Sequence, residues 1–259
     1  MIVGGGPTGV ELAGAIVELA RHGLEREFRA IDPTNATVVL IEARPRLLAA
    51  FPPALSLDAA TALLRLGVTV RLDAKVKQVS AEGVVLAEEV VHARTVLWAA
   101  GMQASAAGAW LNAEQDKAGR IFVGEDLSIK GHDGVFAIGD VTACLAWRGR
   151  PVPGLAPAAK QGGAYVAKVI RRRLETRPAP GPFRYRHAGS LATIGRQAAV
   201  ADLHGLMVHG ALAWWVWGLA HVLFLGGGRN RSAVLINWIW AYLTYRRASR
   251  LITERAATP

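Results

Sequence analysis

The chain has 259 residues, 52% of them hydrophobic, and its 30 lysines and arginines against 20 acids give a formal charge of +10. That length can bury one large core or two modest ones. The single cysteine, Cys144, excludes an internal disulfide, a cysteine-rich metal site and an internal dithiol pair, and the seven histidines show no His-x-x-His or His-Glu-x-x-His spacing, so no metal site is expected.

The first element carries the strongest signal. Gly4, Gly6 and Gly9 form G-x-G-x-x-G between the apolar run Ile2-Val3 and a helical pattern from Val10 to Leu19. A strand, a tight turn and a helix opening of this kind let backbone N–H groups and the positive helix end approach a pyrophosphate. A second strand over 36–41 ends on Glu42, whose carboxylate would accept hydrogen bonds from the adenosine ribose and repel a 2′-phosphate. That favours NAD(H). Arg44 and Arg46 follow immediately, and they would pair with a phosphate if they are not simply a solvated loop. Glu42 lies farther on than the ~20 residues the fingerprint expects, so the connector 21–35 predicts a longer helix and a loop. The nucleotide turn is reached by residue 4 with no secretory signal ahead of it, which makes a cytoplasmic face the expectation.

Pro52-Pro53 precedes a helix over 56–66, closed by Gly67, and 68–72 alternates as a third strand. Short runs at 76–79, 84–87 and 90–91 predict a small antiparallel meander. The buried strand 95–101 ends in small residues. Ala99 to Gly101 would let a flat nicotinamide approach the backbone, although a plain strand-to-loop glycine explains the spacing equally well. Strands are then expected at 121–123 and 134–140, the second ending in Gly139-Asp140, where open α/β sheets bind ligands. A helix N-cap is the plainer alternative for Asp140. A helix from 153 to 174 ends in three arginines that suit its dipole, Pro-rich 178–182 is a stiff linker, and 190–195 with 198–203 reads as a hairpin.

The tail differs in composition. From Gly205 onward there are six arginines, one glutamate and five of the eight tryptophans. Arginine and tryptophan beside long apolar runs point to an anionic membrane surface and away from nucleic acid. Residues 206–225 lack Asp, Glu, Lys and Arg and are long enough to span a bilayer. A second run, 233–245, is shorter and leads to Arg246, Arg247 and Arg250. An interfacial helical hairpin, a span and a dimer interface all remain open on this pattern.

Taken together, these segments resemble the type II NADH dehydrogenases, single-chain flavoproteins that reduce membrane quinone. The resemblance covers nearly the whole chain and rests on GGGPTGVELAG (4–14), LIEARPRLL (40–48), WAAG (98–101), VFAIGDV (135–141), APAAKQGG (156–163), GSLATIGRQAAVADL (189–203) and FLGGGRNR (224–231). It implies an α/β protein with three parts. A Rossmann-like NADH-binding domain of parallel sheet plus meander occupies 1–104, the second half of an FAD-binding domain 105–204, and C-terminal membrane-associated helices 205–259. NADH would sit on Gly4, Gly6 and Gly9 with Glu42 on its ribose and Gly101 near the nicotinamide. Gly139 and Asp140 would hold the ribityl and phosphate portion of FAD. Ala158, Ala159 and Gln161 match the A-A-x-Q turn beside the isoalloxazine, at the mouth of the quinone channel. Glu11, which closes G-x-T-G-x-E in the family, is implicated in proton handling near nicotinamide and flavin. A first-turn carboxylate complementing the helix dipole is its structural alternative. Glu11 and Gln161 are thus the candidate catalytic residues.

The family also implies monotopic attachment to the cell membrane through the C-terminal helices, here on the cytoplasmic face already expected, with membrane lipid and quinone as partners. It carries an earlier segment with its own G-x-G-x-x-G for the ADP half of FAD. No counterpart is present in the 259 residues, so the sequence resembles the C-terminal portion of such an enzyme. A related FAD-dependent disulfide reductase is the alternative enzyme, although that class ends in a soluble dimerisation domain with a His-Pro pair and this chain ends in a Trp/Arg run. An NADH-binding, membrane-associated fragment without turnover is the non-enzyme reading.

Overall fold

The computed structural model describes residues 1–24, 31–87 and 89–244. The chain divides into two compact units, one of Met1–Ala100 with Gly189–Pro259 and one of Gly101–Ala188.

The first unit is built on a four-stranded parallel sheet in the order β3 (Thr69–Arg71), β2 (Val39–Ile41), β1 (Ile2–Val3), β7 (Leu97–Trp98). Alternation along a strand sends successive side chains to opposite faces. Ile2 and Leu40 enter the main core, whereas Val3 and Ile41 meet Val84 and Leu86 of the meander β4 (Gln78–Ser80), β5 (Gly83–Val85), β6 (Val90–His92). The main core is closed by α1 (Pro7–Glu18) and α2 (Pro53–Arg65). Helix α1 buries Val10, Ala13, Gly14 and Val17, a spacing of three, one and three that places them on one face. Both helices begin on proline, whose missing N–H is no loss in a first turn. After α1 the chain makes one π-helical turn, Leu19–Gly23, and the described parts of the long connector also hold a 3-10 turn, Pro33–Asn35, capped by the Asp32 carboxylate.

An antiparallel sheet, β10 (Ser190–Ile194), β11 (Ala198–Leu203) and β12 (Leu206–His209), completes this unit. Ala192, Ile194 and Val200 join the main core, while Ala199 and Ala201 pack on Ala213 of α5 (Gly210–Phe224). The close approach of β10 to α1 needs two glycines. A Cβ on Gly14 would meet the Gly195 nitrogen at 2.5 Å, and Gly195 has a φ of +68°. The hairpin was expected to close the 105–204 segment; it folds instead as part of the unit that carries α1.

The apolar run 206–225 is therefore not one helix. Its first four residues are spent on β12, whose ladder to β11 supplies hydrogen bonds that a helix would have to forgo. That leaves α5 with 15 residues, followed by α6 (Gly228–Thr244) with 17. Among the described residues no helix is long and apolar enough to cross a membrane. The two helices meet through Trp217 stacked on Trp238, with ring centroids 5.4 Å apart. Arg196 donates from Nη2 to the carbonyls of Ala241 and Tyr242, capping the last turn of α6. Arg246, Arg247 and Arg250 lie outside the described residues.

In the second unit, β8 (Ile121–Phe122) pairs in parallel with β9 (Thr142–Ala143), and α3 (Ala107–Trp110) and α4 (Ala156–Leu174) flank them. The strand expected over 134–140 does not form. Phe136 makes one isolated bridge to Ser128, and Gly139–Val141 is a 3-10 turn. A β-strand needs a neighbouring ladder, and the apolar run has only that single bridge here.

Candidate functional site

In the first unit the glycine loop joins β1 to α1, and each glycine has its own physical reason. Gly4 has a φ of +111°, and a Cβ there would fall 2.7 Å from the backbone of Ala99 at the end of β7. Only glycine meets both demands. A Cβ on Gly9 would strike the Gly4 carbonyl oxygen, so Gly9 lets α1 seat against the loop. Gly6 is different. It is the N-cap of α1, with extended backbone, no side-chain cap and nothing within 4 Å of its would-be Cβ. Open space beside an uncapped helix N-terminus, whose first N–H groups lack helical acceptors, is where a pyrophosphate fits.

Glu42, at the end of β2, turns its carboxylate back onto this loop. Oε2 accepts from the Gly5 N–H at 2.5 Å and Oε1 from the Arg44 N–H at 2.9 Å. A Cβ at Gly5 would meet Leu47 Cδ2 at 2.6 Å and Glu42 Oε2 at 2.9 Å. Gly5 is thus a site residue that the fingerprint treats as variable, and only the run of three glycines signalled it. Arg44 has an exposed side chain. Arg46 is not a solvated side chain: it is half-buried, and its guanidinium donates to the Phe51 and Ala49 carbonyls and to Ser56 Oγ, each at 2.7 Å.

Glu11 is half-buried on α1. Its Oε1 accepts from the Thr193 N–H of β10 at 3.3 Å. Burial pushes its pKa up, opposed by that hydrogen bond and by the nearby His221 of α5. The His221 Nδ1–H donates to the Trp217 carbonyl at 2.8 Å, and the imidazole lies against the Trp217 ring. A carboxylic acid raised in this way stabilises the fold below the ordinary glutamate range, and that contribution is lost as pH rises through the raised value. Glu11→Gln should therefore flatten the decline of melting temperature with rising pH, checked by thermal melts across a pH series; an unchanged slope would mean that Glu11 is not the titrating group.

The second unit holds the other candidates. Gly139 has a φ of +72°, and its would-be Cβ lies 3.2 Å from that of Ala159 at the start of α4. Ala158 is buried beneath the same turn. The small residues let the N-terminus of α4 close on the Gly139-Asp140 turn. Asp140 is exposed, and it lines an open pocket of ≈150 Å³ with Met102, Gln103, Arg120, Gly139, Thr142 and Gly154. A Cβ on Gly154 would come within 3.2 Å of Asp140 Oδ1, so this glycine, which the sequence reading did not single out, keeps the carboxylate accessible. Gly101 is exposed, with a φ of +86° and open space beside it. Gln161 is tied differently from expectation. Its amide pairs reciprocally with the Arg186 backbone, donating to the carbonyl at 2.8 Å and accepting from the N–H at 2.9 Å. Both ends of the amide are occupied by this pairing.

A family model described as pyridine nucleotide-disulphide oxidoreductase matches residues 1–163, well over half of the chain. The chain belongs to the pyridine nucleotide-disulphide oxidoreductase family. A second model, the NDH2 C-terminal domain, matches residues 187–247, the segment that packs on α1 and continues into α6. A type II NADH:quinone oxidoreductase of Mycobacterium tuberculosis is 39% identical over 99% of this chain and 57% of its own length. An internal alternative NAD(P)H-ubiquinone oxidoreductase of Arabidopsis thaliana is 31% identical over 97% of the chain and 52% of its own. The solved NDH2 of Plasmodium falciparum in complex with NADH matches with a TM-score of 0.81 at 19% identity, over 96% of this chain and 66% of that one, a likeness of fold. The chain thus spans about half the length of the curated relatives it matches.

Proposed function

We propose that the chain supplies the NADH-binding domain and part of the flavin site of a type II NADH:quinone oxidoreductase. The observation that carries this reading over a disulfide reductase is the packing of the NDH2-type C-terminal segment directly on the nucleotide helix, with Thr193 hydrogen-bonded to Glu11. The residues present fit both cofactors. Gly6 and the start of α1 leave room for a dinucleotide pyrophosphate, Glu42 is fixed beside them as an acceptor for ribose hydroxyls, and the exposed Asp140 suits the hydroxyl-rich ribityl chain. When bound, NADH supplies a hydride and FAD accepts it for delivery to quinone.

The protein's own share is positioning and proton control. The glycine loop fixes the pyrophosphate, Glu42 selects the unphosphorylated ribose, and Glu11 offers a partly desolvated carboxyl beside His221 for proton transfer. Gln161 is held in orientation by its pairing with the Arg186 backbone, at the turn where the quinone head would approach the flavin.

Membrane attachment follows from the faces that α5 and α6 leave uncovered. Leu212, Trp215, Leu219 and Leu223 form one exposed stripe on α5, and Ile236, Ile239 and Leu243 another on α6. Monotopic seating of these stripes among lipid headgroups and acyl chains, on the cytoplasmic leaflet, gives them an apolar environment and brings the site within reach of quinone. Burial of a leucine gains about 1.5–3 kcal/mol, so Leu219→Asp together with Ile236→Asp should lower partitioning onto anionic vesicles at least ~tenfold. Co-sedimentation measures this. Unchanged binding would remove the stripes from the contact, and a dimer in solution without vesicle binding would assign them to a second copy of the chain.

A further inference from the structure

The loop after Glu42 contains an arginine whose guanidinium is turned onto the loop itself. Arg46 sits half-buried at the centre of a closed loop: Nη1 donates to the Phe51 carbonyl and to Ser56 Oγ, and Nη2 to the Ala49 carbonyl. Ser56 is 3% exposed in the first turn of α2, and its hydroxyl also faces the carbonyls of Leu48 and Pro52. The guanidinium therefore ties 46–51 to the start of a core helix.

That tie reaches the glycine loop through two leucines. Leu47 and Leu48 are each 1% exposed. Leu48 is held at a φ of +49°, a left-handed conformation that persists only when its surroundings fix it. Its N–H donates to the Gly5 carbonyl at 2.8 Å, while Leu47 crowds the space where a Gly5 side chain would stand. The same Gly5 presents its N–H to Glu42 Oε2. A continuous path of contacts runs from the Arg46 fork through Leu47 and Leu48 to Gly5, and from Gly5 to the carboxylate that would face the adenosine ribose.

We propose that Arg46 is a positioning residue for nucleotide selection: by closing the 46–56 loop it holds Gly5 and so fixes the orientation of the Glu42 carboxylate that admits a ribose hydroxyl and rejects a 2′-phosphate. This rests on the NADH reading above. It also reverses the role a sequence reader would give a second arginine after the acidic residue, because Arg46 supports selection against a phosphate instead of binding one. Lysine cannot replace it, since a single ammonium does not reproduce the planar two-nitrogen fork that spans these three acceptors.

The test is calorimetric titration of the 259-residue chain with NADH and with NADPH, alongside thermal melts. The unaltered protein should prefer NADH about tenfold or more. Arg46→Lys and Arg46→Ala should narrow that preference about fivefold through weaker NADH binding, and Ser56→Ala should narrow it less, as expected for losing one of several hydrogen bonds. A merely structural arginine would lower the melting temperature and leave the ratio of the two affinities unchanged. If Arg46→Ala does not fold, Arg46→Lys and Ser56→Ala carry the test. An unaltered ratio in both, against an unaltered protein that selects NADH, overturns the proposal; an unaltered protein that binds neither nucleotide overturns the NADH reading itself and this inference with it.

Discussion

Gly9→Ala should cost the chain both stability and NADH, whereas Gly6→Ala should cost it NADH alone. The two positions lie three residues apart in one loop, yet they face different things. A methyl on Gly9 has no room, because the Gly4 carbonyl oxygen occupies its place and Leu40 lies just behind. Helix α1 would have to lift off the loop, carrying Val10, Ala13 and Val17 with it out of the main core. Overpacking of this kind costs about 1–3 kcal/mol, and the displaced helix start should weaken pyrophosphate binding by at least about tenfold in addition. At Gly6 the backbone is at φ −73° and the would-be Cβ touches nothing, so alanine fits without strain. Its methyl would instead occupy ligand space, with an expected loss of roughly tenfold in NADH affinity and an unshifted melting temperature. Melting curves and NADH titrations of the two variants check this together. A Gly6→Ala protein that binds NADH normally would place the pyrophosphate elsewhere.

The first unit was legible because its signals are local. Period-2 and helical apolar spacing, the Gly4-Gly6-Gly9 turn and Glu42 after a short strand act within a few residues, and the parallel sheet and meander appear where they were expected, while the hairpin forms over the expected residues but joins this unit. What sequence could not supply was the use of side chains at a distance. Arg46 looked like a phosphate ligand or a solvated residue because nothing nearby in the chain announces that Ser56, ten positions on, is buried and waiting for a donor. Gln161 looked free for chemistry, but its partner is the backbone of Arg186, 25 residues away. The reading failed outright where strand identity depends on a partner. The run 134–138 has the composition of a buried strand and lacks the ladder. Residues 206–209 have the composition of a helix start and are claimed by the edge of β11.

The second large effect concerns flavin. The 259 residues contain one G-x-G-x-x-G, and in the fold it belongs to the unit of Met1–Ala100 with β10 and β11. The candidate flavin contacts proposed above, Gly139, Asp140 and the Ala158–Ala159 turn, would address only the ribityl and ring portion. Contacts to an ADP moiety consist of several charge-assisted hydrogen bonds of about 1.5–3 kcal/mol each, so without them affinity should fall by three or more decades at ~1.4 kcal/mol per decade. These residues expressed by themselves should therefore purify nearly colourless and show negligible NADH:quinone turnover while still binding NADH. The most direct measurement compares bound flavin and NADH:quinone turnover of this chain with those of a protein joined ahead of Met1 to a segment carrying its own G-x-G-x-x-G for the ADP half of FAD. The account predicts a yellow, NADH-dependent quinone reductase for the extended protein and neither property for these residues alone. An extended protein that binds FAD and NADH yet reduces disulfides in place of quinone, or these residues alone holding near-stoichiometric FAD with turnover, would contradict it.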